Sequence, residues 1–389
     1  MRRFLRRYTT GGGRAVLGIA AASMLAGLDP FRTYLDGLFV VLSALCTVAF
    51  AVGLLFRRKV SGDWRPPVRV VCGNEFVVNV TLRNLSKRSA YEVEVAFDSL
   101  PSGLWQRVED PGENRCPELA PGQTRSVELH LRAQRRGAYS LGPLWAGVTF
   151  PFGIFRMSSR VPGQRRLLVT PRLHHISHLA LNPGLRYQPG GMPMASETGE
   201  SLEFMGVREY RQGDSLRKIH WKLWARRGEP VVREFSQEYF SRVGVVLDTY
   251  RPTSLEDFEC AAEVAASVAG YLARQDAVVD FFAAGSEVYF LSVGRQLGTL
   301  QSILDVLACV EPTREAPYEK LEHQLLRLLA QLSAVVMVTF QPNPQRRAFW
   351  ERLKLGGAPL RILCIGRGFD DPEVTRLDPA DMPGCLELL

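Results

Sequence analysis

Between Gly199 and Glu238 the chain sets eight basic side chains (Arg208, Arg211, Arg217, Lys218, Lys222, Arg226, Arg227, Arg233) against seven acidic ones (Glu200, Glu203, Glu209, Asp214, Glu229, Glu234, Glu238). Phe204, Tyr210, Ile219, Trp221, Trp224 and Phe235 are interleaved with them. Guanidinium and carboxylate groups at this density make paired, charge-assisted hydrogen bonds, and indole rings add stacking area. A disordered tail has blocks of one sign and few aromatics, so this stretch reads as an ordered element. Two roles fit it. The charges pair with one another and latch the segment to its neighbour, since partly buried charges need partners. Otherwise the segment is a docking surface, with Arg217, Trp221, Trp224 and Arg226 as candidates because Arg and Trp dominate interface hot spots.

Chemistry of other kinds finds little footing. There is no G-x-S-x-G elbow, no G-x-x-x-x-G-K-[ST] phosphate loop and no G-x-G-x-x-G after a strand. Asp214 and His220 are six positions apart, about 240° around a helix, so they cannot form an orienting pair within one. His174, His175 and His178 raise a zinc question, but no Glu or Cys is close in sequence and Pro171 precedes them; surface histidines are the expectation. No catalytic residue and no cofactor is expected.

The elements that position the charged segment follow from its local sequence. Gly213 makes a turn, and Asp214 is placed to cap a helix running from about Ser215 to Arg227, which Gly228 ends. On a helical wheel Leu216, Ile219, His220, Leu223 and Trp224 share one face, with Lys218, Lys222 and Ala225 opposite. Pro230 to Phe235 reads as a short strand.

The string G-E-x-x-E-F-x-G-V-R-E-Y-x-x-G-D-x-x-R-x-I-x-W-x-x-x-A-R-x-G-E-x-x-V-R-E-F closely resembles the signature of the bacterial domain-of-unknown-function fifty-eight family. The match falls on Glu203, Phe204, Arg208, Tyr210, Gly213, Asp214, Arg217, Ile219, Trp221, Ala225, Arg226, Arg233 and Phe235. R-G-x-Y-x-L-G-P (Arg136 to Pro143) and P-F-G-I-F (Pro151 to Phe155) extend the resemblance. It implies membrane segments, a β-rich domain, a von Willebrand factor A-like domain and companionship with MoxR-type AAA+ ATPases. In working von Willebrand A domains a strand-end Asp opens a D-x-S-x-S loop that helps hold Mg²⁺. Here that position reads Asp248-Thr249-Tyr250-Arg251-Pro252, with Tyr and Pro in place of both serines. Mg²⁺ wants a near-octahedral set of oxygens, so Asp248 and Thr249 are a degenerate metal position, with no metal expected. The expected alternatives for Asp248 are to cap the helix beginning near Leu255 or to pair with an Arg of the signature.

Gly37 to Phe56 is 20 uncharged, mostly apolar residues, enough to cross ~30 Å of hydrocarbon. Gly11 to Leu28 is a weaker second span containing Arg14. Nine basic and two acidic side chains fall within residues 1–60, a net of +7 against +8 for the whole chain. The remainder is close to neutral and has no electrostatic footprint for nucleic acid. The basic residues before the first span and Arg57, Arg58 and Lys59 after the second put both ends in the cytoplasm by the positive-inside rule. The basic start and apolar Ala15 to Leu28 also have the order of a signal peptide, but the second span would still hold the chain in the membrane. Seven cysteines without C-x-x-C suit a reducing compartment rather than a disulfide framework.

Farther along, the period switches to two: Phe76, Val78, Val80 and Leu82 alternate with Val77, Asn79, Thr81 and Arg83, and similar runs recur among turn signals such as Pro121-Gly122. This predicts an all-β immunoglobulin-like sandwich. From about Arg242 strands and helices alternate, which predicts an α/β doubly wound domain. The expected organisation is a two-helix membrane anchor at residues 1–60, the sandwich at 61–175, a linker at 176–198, the signature segment at 199–240 and the A-like domain at 241–389. The function this predicts is a membrane-anchored adaptor in the bacterial cytoplasmic (inner) membrane, with its soluble domains in the cytoplasm, engaging a AAA+ ATPase or its client. A metal-dependent hydrolase working at Asp248 is the alternative. Oligomeric state has no sequence signal.

Overall fold

The computed structural model describes residues 9–26, 33–55, 59–106, 114–149, 152–181, 203–216, 219–236, 241–275, 277–284, 288–293, 297–368 and 371–387. The chain divides into two compact units between Thr170 and Pro171.

The first unit opens with helices α1 (Gly11–Ala26) and α2 (Thr33–Leu55), which pack along each other. Within α2, Gly37–Leu54 has a mean hydropathy of 2.4 and is largely unburied, so it is long and apolar enough to cross a membrane. The apolar part of α1, Gly11–Leu25, is shorter than a span needs. One candidate spanning helix is therefore present among the described residues where two were expected.

Strands follow in the order β1 (Val60–Arg65), β2 (Arg69–Val71), β3 (Glu75–Asn84), β4 (Ala90–Phe97), β5 (Leu104–Gln106), β6 (Arg115–Leu119), β7 (Thr124–Ala133), β8 (Gly137–Leu141), β9 (Leu144–Val148), β10 (Met157–Val161) and β11 (Arg165–Thr170). They form sheets β1-β3-β7-β5, β10-β9-β4-β6 and β2-β11-β8. The expected alternation is present: Phe76, Val78, Val80 and Leu82 of β3 are buried, and Val93, Val95, Leu129 and Leu131 complete one core with them. A period of two puts one side chain in each pair inward, which is why this sequence makes a half-buried sheet. Trp64 closes the core edge-on against Phe97, with ring centroids 5.5 Å apart.

The second unit starts earlier than the sequence suggests. Ile176 and Leu179 are buried in the α/β core, so the first residues assigned to a linker are core residues. The Leu181–Thr198 stretch, apart from Leu181, lies outside the described residues. Next come β12 (Glu203–Glu209), α3 (Trp221–Arg227) and β13 (Val231–Ser236), with β12 and β13 paired antiparallel across a bulge between Phe204 and Gly206.

The remaining elements are β14 (Arg242–Leu247), α4 (Leu255–Arg274), β15 (Val278–Ala284), β16 (Val288–Val293), α5 (Leu297–Cys309), α6 (Tyr318–Leu329), β17 (Ala334–Phe340), α7 (Pro344–Leu355), β18 (Leu360–Ile365), β19 (Thr375–Leu377) and α8 (Met382–Glu387). The sheet order is β16-β15-β14-β17-β18-β19, and only the edge strand β16 runs antiparallel to its neighbour. One face packs on α4, α5 and α8, through Phe258, Leu307 and Leu386 among others. The other packs on α6 and α7, through Leu321, Leu325, Phe349 and Trp350. Strands covered on both faces must be apolar throughout, and β17 is buried at every position. The chain leaves β14 for β15 on one side and reaches β17 on the other. This is a topological switch point, where open α/β sheets leave a crevice beyond the carboxyl ends of their strands.

Candidate functional site

Two places concentrate polar chemistry: the β12-α3-β13 segment and the carboxyl end of β14.

In the first, Arg208 of β12 grips Asp214 with both terminal nitrogens, Nη1 to Oδ2 at 2.7 Å and Nη2 to Oδ1 at 2.8 Å. Asp214 Oδ2 also accepts from the Arg211 N–H at 2.8 Å, closing a turn in which Gly213 takes φ +109°. Asp214 therefore does not cap α3. The expected helix from Ser215 is shorter at its start: Leu216 is 64% exposed, and Ile219 bridges to Val232 of β13. His220 is the cap instead, its Nδ1 accepting from the Leu223 N–H at 3.2 Å. Gly228 ends the helix in the left-handed conformation, as expected, its N–H on Trp224 O. Buried Ile219, Val231 and Val232 anchor the segment, while α3 itself buries none of its residues.

The hydrogen bonds from Arg208, followed by the Arg211 N–H, hold the Asp214 carboxyl at about 2 against an ordinary 3.8. A folded pKa below the unfolded one means the stabilisation is complete above pH 3.8 and is lost as pH falls through about 2. Carboxyl-carbon NMR is expected to find this midpoint near 2 and to move it upward in Arg208→Ala; a wild-type midpoint at the ordinary value would refute the pair.

Other signature positions divide by exposure. Tyr210 holds the hairpin through its N–H to Pro230 O at 2.9 Å. Trp221 is 62% exposed and stacks on Trp224, ring centroids 5.3 Å apart at 23°. Lys222, Arg226 and Arg227 of the same helix are exposed, as is Arg233 of β13. Glu203 and Phe204 lie in register opposite Ser236 and Phe235. Arg217 lies outside the described residues.

At the second place, Asp248 follows β14 with no exposed surface. Its Oδ2 accepts from Arg346 Nε at 2.7 Å, Thr339 Oγ1 at 2.8 Å and Tyr318 OH at 3.2 Å. Its Oδ1 accepts from the Tyr250 N–H at 2.9 Å. Arg346 goes on to donate to Gln341 O at 2.9 Å and to Tyr250 O. Burial opposes the charge on Arg346, but the Asp248 carboxylate beside it overrides that and raises its pKa. Burial, followed by the same carboxylate, pushes the Tyr318 phenol well above its ordinary value and keeps it a donor.

Among the described residues Asp248 neither caps the following helix nor pairs with a signature Arg. Ser254 supplies the cap, its Oγ accepting from the Asp257 N–H at 3.0 Å, and Arg346 of α7 supplies the counter-charge. The residues do not fit a divalent ion. Both carboxylate oxygens already accept from donors, and a permanent guanidinium 2.7 Å away would repel a second cation. Thr249 faces Thr313, Oγ1 to Oγ1 at 3.3 Å. No group of three or more His, Cys, Asp or Glu suited to a metal occurs among the described residues. His174 pairs with Glu263, Nε2 to Oε2 at 2.7 Å, while His175 and His178 are exposed.

Sequence reasoning missed Arg346, Tyr318 and Thr339. The signal for Arg346 was present: with Phe349, Trp350 and Leu353 it forms the i, i+3, i+4, i+7 stripe of α7, all four buried. A charge on an apolar stripe needs a buried partner.

A family model described as "Protein of unknown function DUF58" matches residues 206–345, which supports that family for this part of the chain. No curated protein matches the chain. Among solved structures, a native alpha-2-macroglobulin fragment from Escherichia coli is 18% identical with a TM-score of 0.23, covering 30% of this chain and 17% of that one. A Salmonella alpha-2-macroglobulin reacted with methylamine is 19% identical with a TM-score of 0.23, covering 32% and 8%. A CARDB domain from Pyrococcus furiosus is 11% identical with a TM-score of 0.17, covering 28% and 94%. This chain thus spans less than a fifth of either macroglobulin chain.

Proposed function

We propose that this protein is an adaptor anchored in the bacterial cytoplasmic membrane by the stretches Gly11 to Leu28 and Gly37 to Phe56, with its β-rich and α/β domains in the cytoplasm. Its α/β unit is of the von Willebrand factor A type and engages a MoxR-type AAA+ ATPase or that ATPase's client. The observation that carries the reading is Trp221, 62% exposed on a helix that buries none of its residues. A solvent-facing indole stacked on a second one, on a helix that also exposes Lys222, Arg226 and Arg227, has the composition of an interface hot spot. Arg208 and Asp214 serve as the latch that folds the segment on itself. The seven cysteines are thiols rather than disulfides, in keeping with a reducing compartment. The hydrolase alternative has no observation in its favour, since the carboxylate it needs is committed to Arg346.

The test is in-membrane crosslinking of the full chain, followed by mass spectrometry of what is retained. A AAA+ ATPase among the retained proteins is the expected result; its absence at crosslinking yields that capture other membrane neighbours would overturn the reading.

A further inference from the structure

At the switch point beside Asp248, the loop after β14 and the loop between α5 and α6 leave an open cleft of about 580 Å³. Volumes in this range suit a side chain or small ligand. Its polar lining is Arg251, Thr253, Ser254, Thr313 and Arg314, and its apolar lining is Leu255 with a proline from each loop. Among the described residues no carboxylate lines it, and Arg251 and Arg314 carry the two formal charges of the lining, with Glu256, Asp257, Glu311 and Glu315 adjoining the lining residues along the chain.

The walls are braced before any ligand arrives. Thr313 donates its N–H to Thr249 O at 2.7 Å, and Arg251 donates its N–H to Thr313 O at 2.9 Å, joining the two loops as parallel backbone. Arg251 Nε donates to Arg314 O at 3.2 Å, which spends one donor and leaves its terminal nitrogens. Beneath them, buried Arg346 donates to Tyr250 O and ties the first loop to the Asp248 network. A site whose shape is held by a buried ion pair loses little entropy when it binds.

We propose that this cleft receives a carboxylate side chain from an acidic segment of the protein partner, with Arg251 and Arg314 as the recognising cations. This rests on the adaptor reading and names the chemistry its partner must present. Charge complementarity selects an anion. The 43% exposed Leu255 at the rim favours a peptide over a free inorganic anion, because it offers apolar surface that only a chain neighbouring the carboxylate would cover.

The experiment uses the full chain in nanodiscs and two fluorescein-labelled peptides, one alternating Glu with Leu and the other Gln with Leu. Wild type is expected to bind the Glu peptide about tenfold more tightly than the Gln peptide. Arg251→Gln/Arg314→Gln is expected to lose that preference with an unchanged melting temperature. Arg314→Gln alone, whose side chain makes no hydrogen bond or ion pair among the described residues, is expected to lose most of it should the double variant melt early. Lys222→Gln/Arg227→Gln on α3 is expected to keep it. Equal binding of both peptides, a preference that survives Arg314→Gln and the double variant, or phosphate binding at the same cleft without peptide discrimination would each overturn the proposal. If the double variant still retains the ATPase on crosslinking, the cleft falls and the adaptor stands; if the Glu preference holds while no ATPase is ever captured, the reverse is true.

Discussion

Arg346→Met is expected to destabilise the α/β unit by about 3–5 kcal/mol, because it leaves the Asp248 carboxylate buried without its counter-charge. Asp248 has no exposed surface and Arg346 is only 4% exposed, so water does not replace the lost partner. For a unit of this size the loss corresponds to a melting temperature lower by about 10 °C. The Cys364 thiol, fully buried and pushed up to about 12 mainly by that burial, gives a local readout. Its labelling by a thiol reagent in the full chain should occur at lower temperature in the variant than in wild type. Asp248→Leu/Arg346→Met should recover much of the loss, since an apolar pair of similar volume is often no worse than a buried ion pair. A single Arg346→Met variant that melts within about 2 °C of wild type would show that the pair does not hold the strand ends together.

That network was only half legible beforehand. Asp248 was visible as a strand-end carboxylate, but its partner lies 98 residues away on α7, marked among many arginines only by the apolar stripe it interrupts. The strands and helices themselves were legible because their signals are periodic. The β3 residues alternate in burial, and the apolar run of β17 is as long as the strand it makes. Where the reading failed, a tertiary contact outbid a local preference. Asp214 is a good capping residue, yet a bidentate guanidinium from Arg208 is a stronger partner than a backbone N–H. Ile219 is bridged to Val232 of β13, and α3 begins only after it, at Trp221. The wheel placed Leu216 on a buried face, and it is 64% exposed.

Trp221 lies outside the burial of its own segment. On a helix running from Ser215 it would have flanked the apolar stripe of Leu216, Ile219 and Leu223 without joining it. In the observed fold the burial lies in Ile219, Val231 and Val232, so Trp221→Ala should leave the melting temperature of the full chain within about 2 °C of wild type. Val232→Ala serves as the contrast and should lower it, because a 3% exposed side chain leaves a cavity behind. Partner retention should respond in the opposite sense. Removing an indole at the centre of an interface costs about 2 kcal/mol or more, a loss of at least about thirtyfold in affinity. Trp224→Ala should follow Trp221→Ala, since the two rings stack and neither presents the same surface without the other. Quantitative crosslinking of the three variants beside wild type separates the roles. Lost retention with an unchanged melt makes the indole pair a docking surface, whereas a lowered melt with retention scaling to the folded fraction makes it part of the latch and removes the main support for the adaptor.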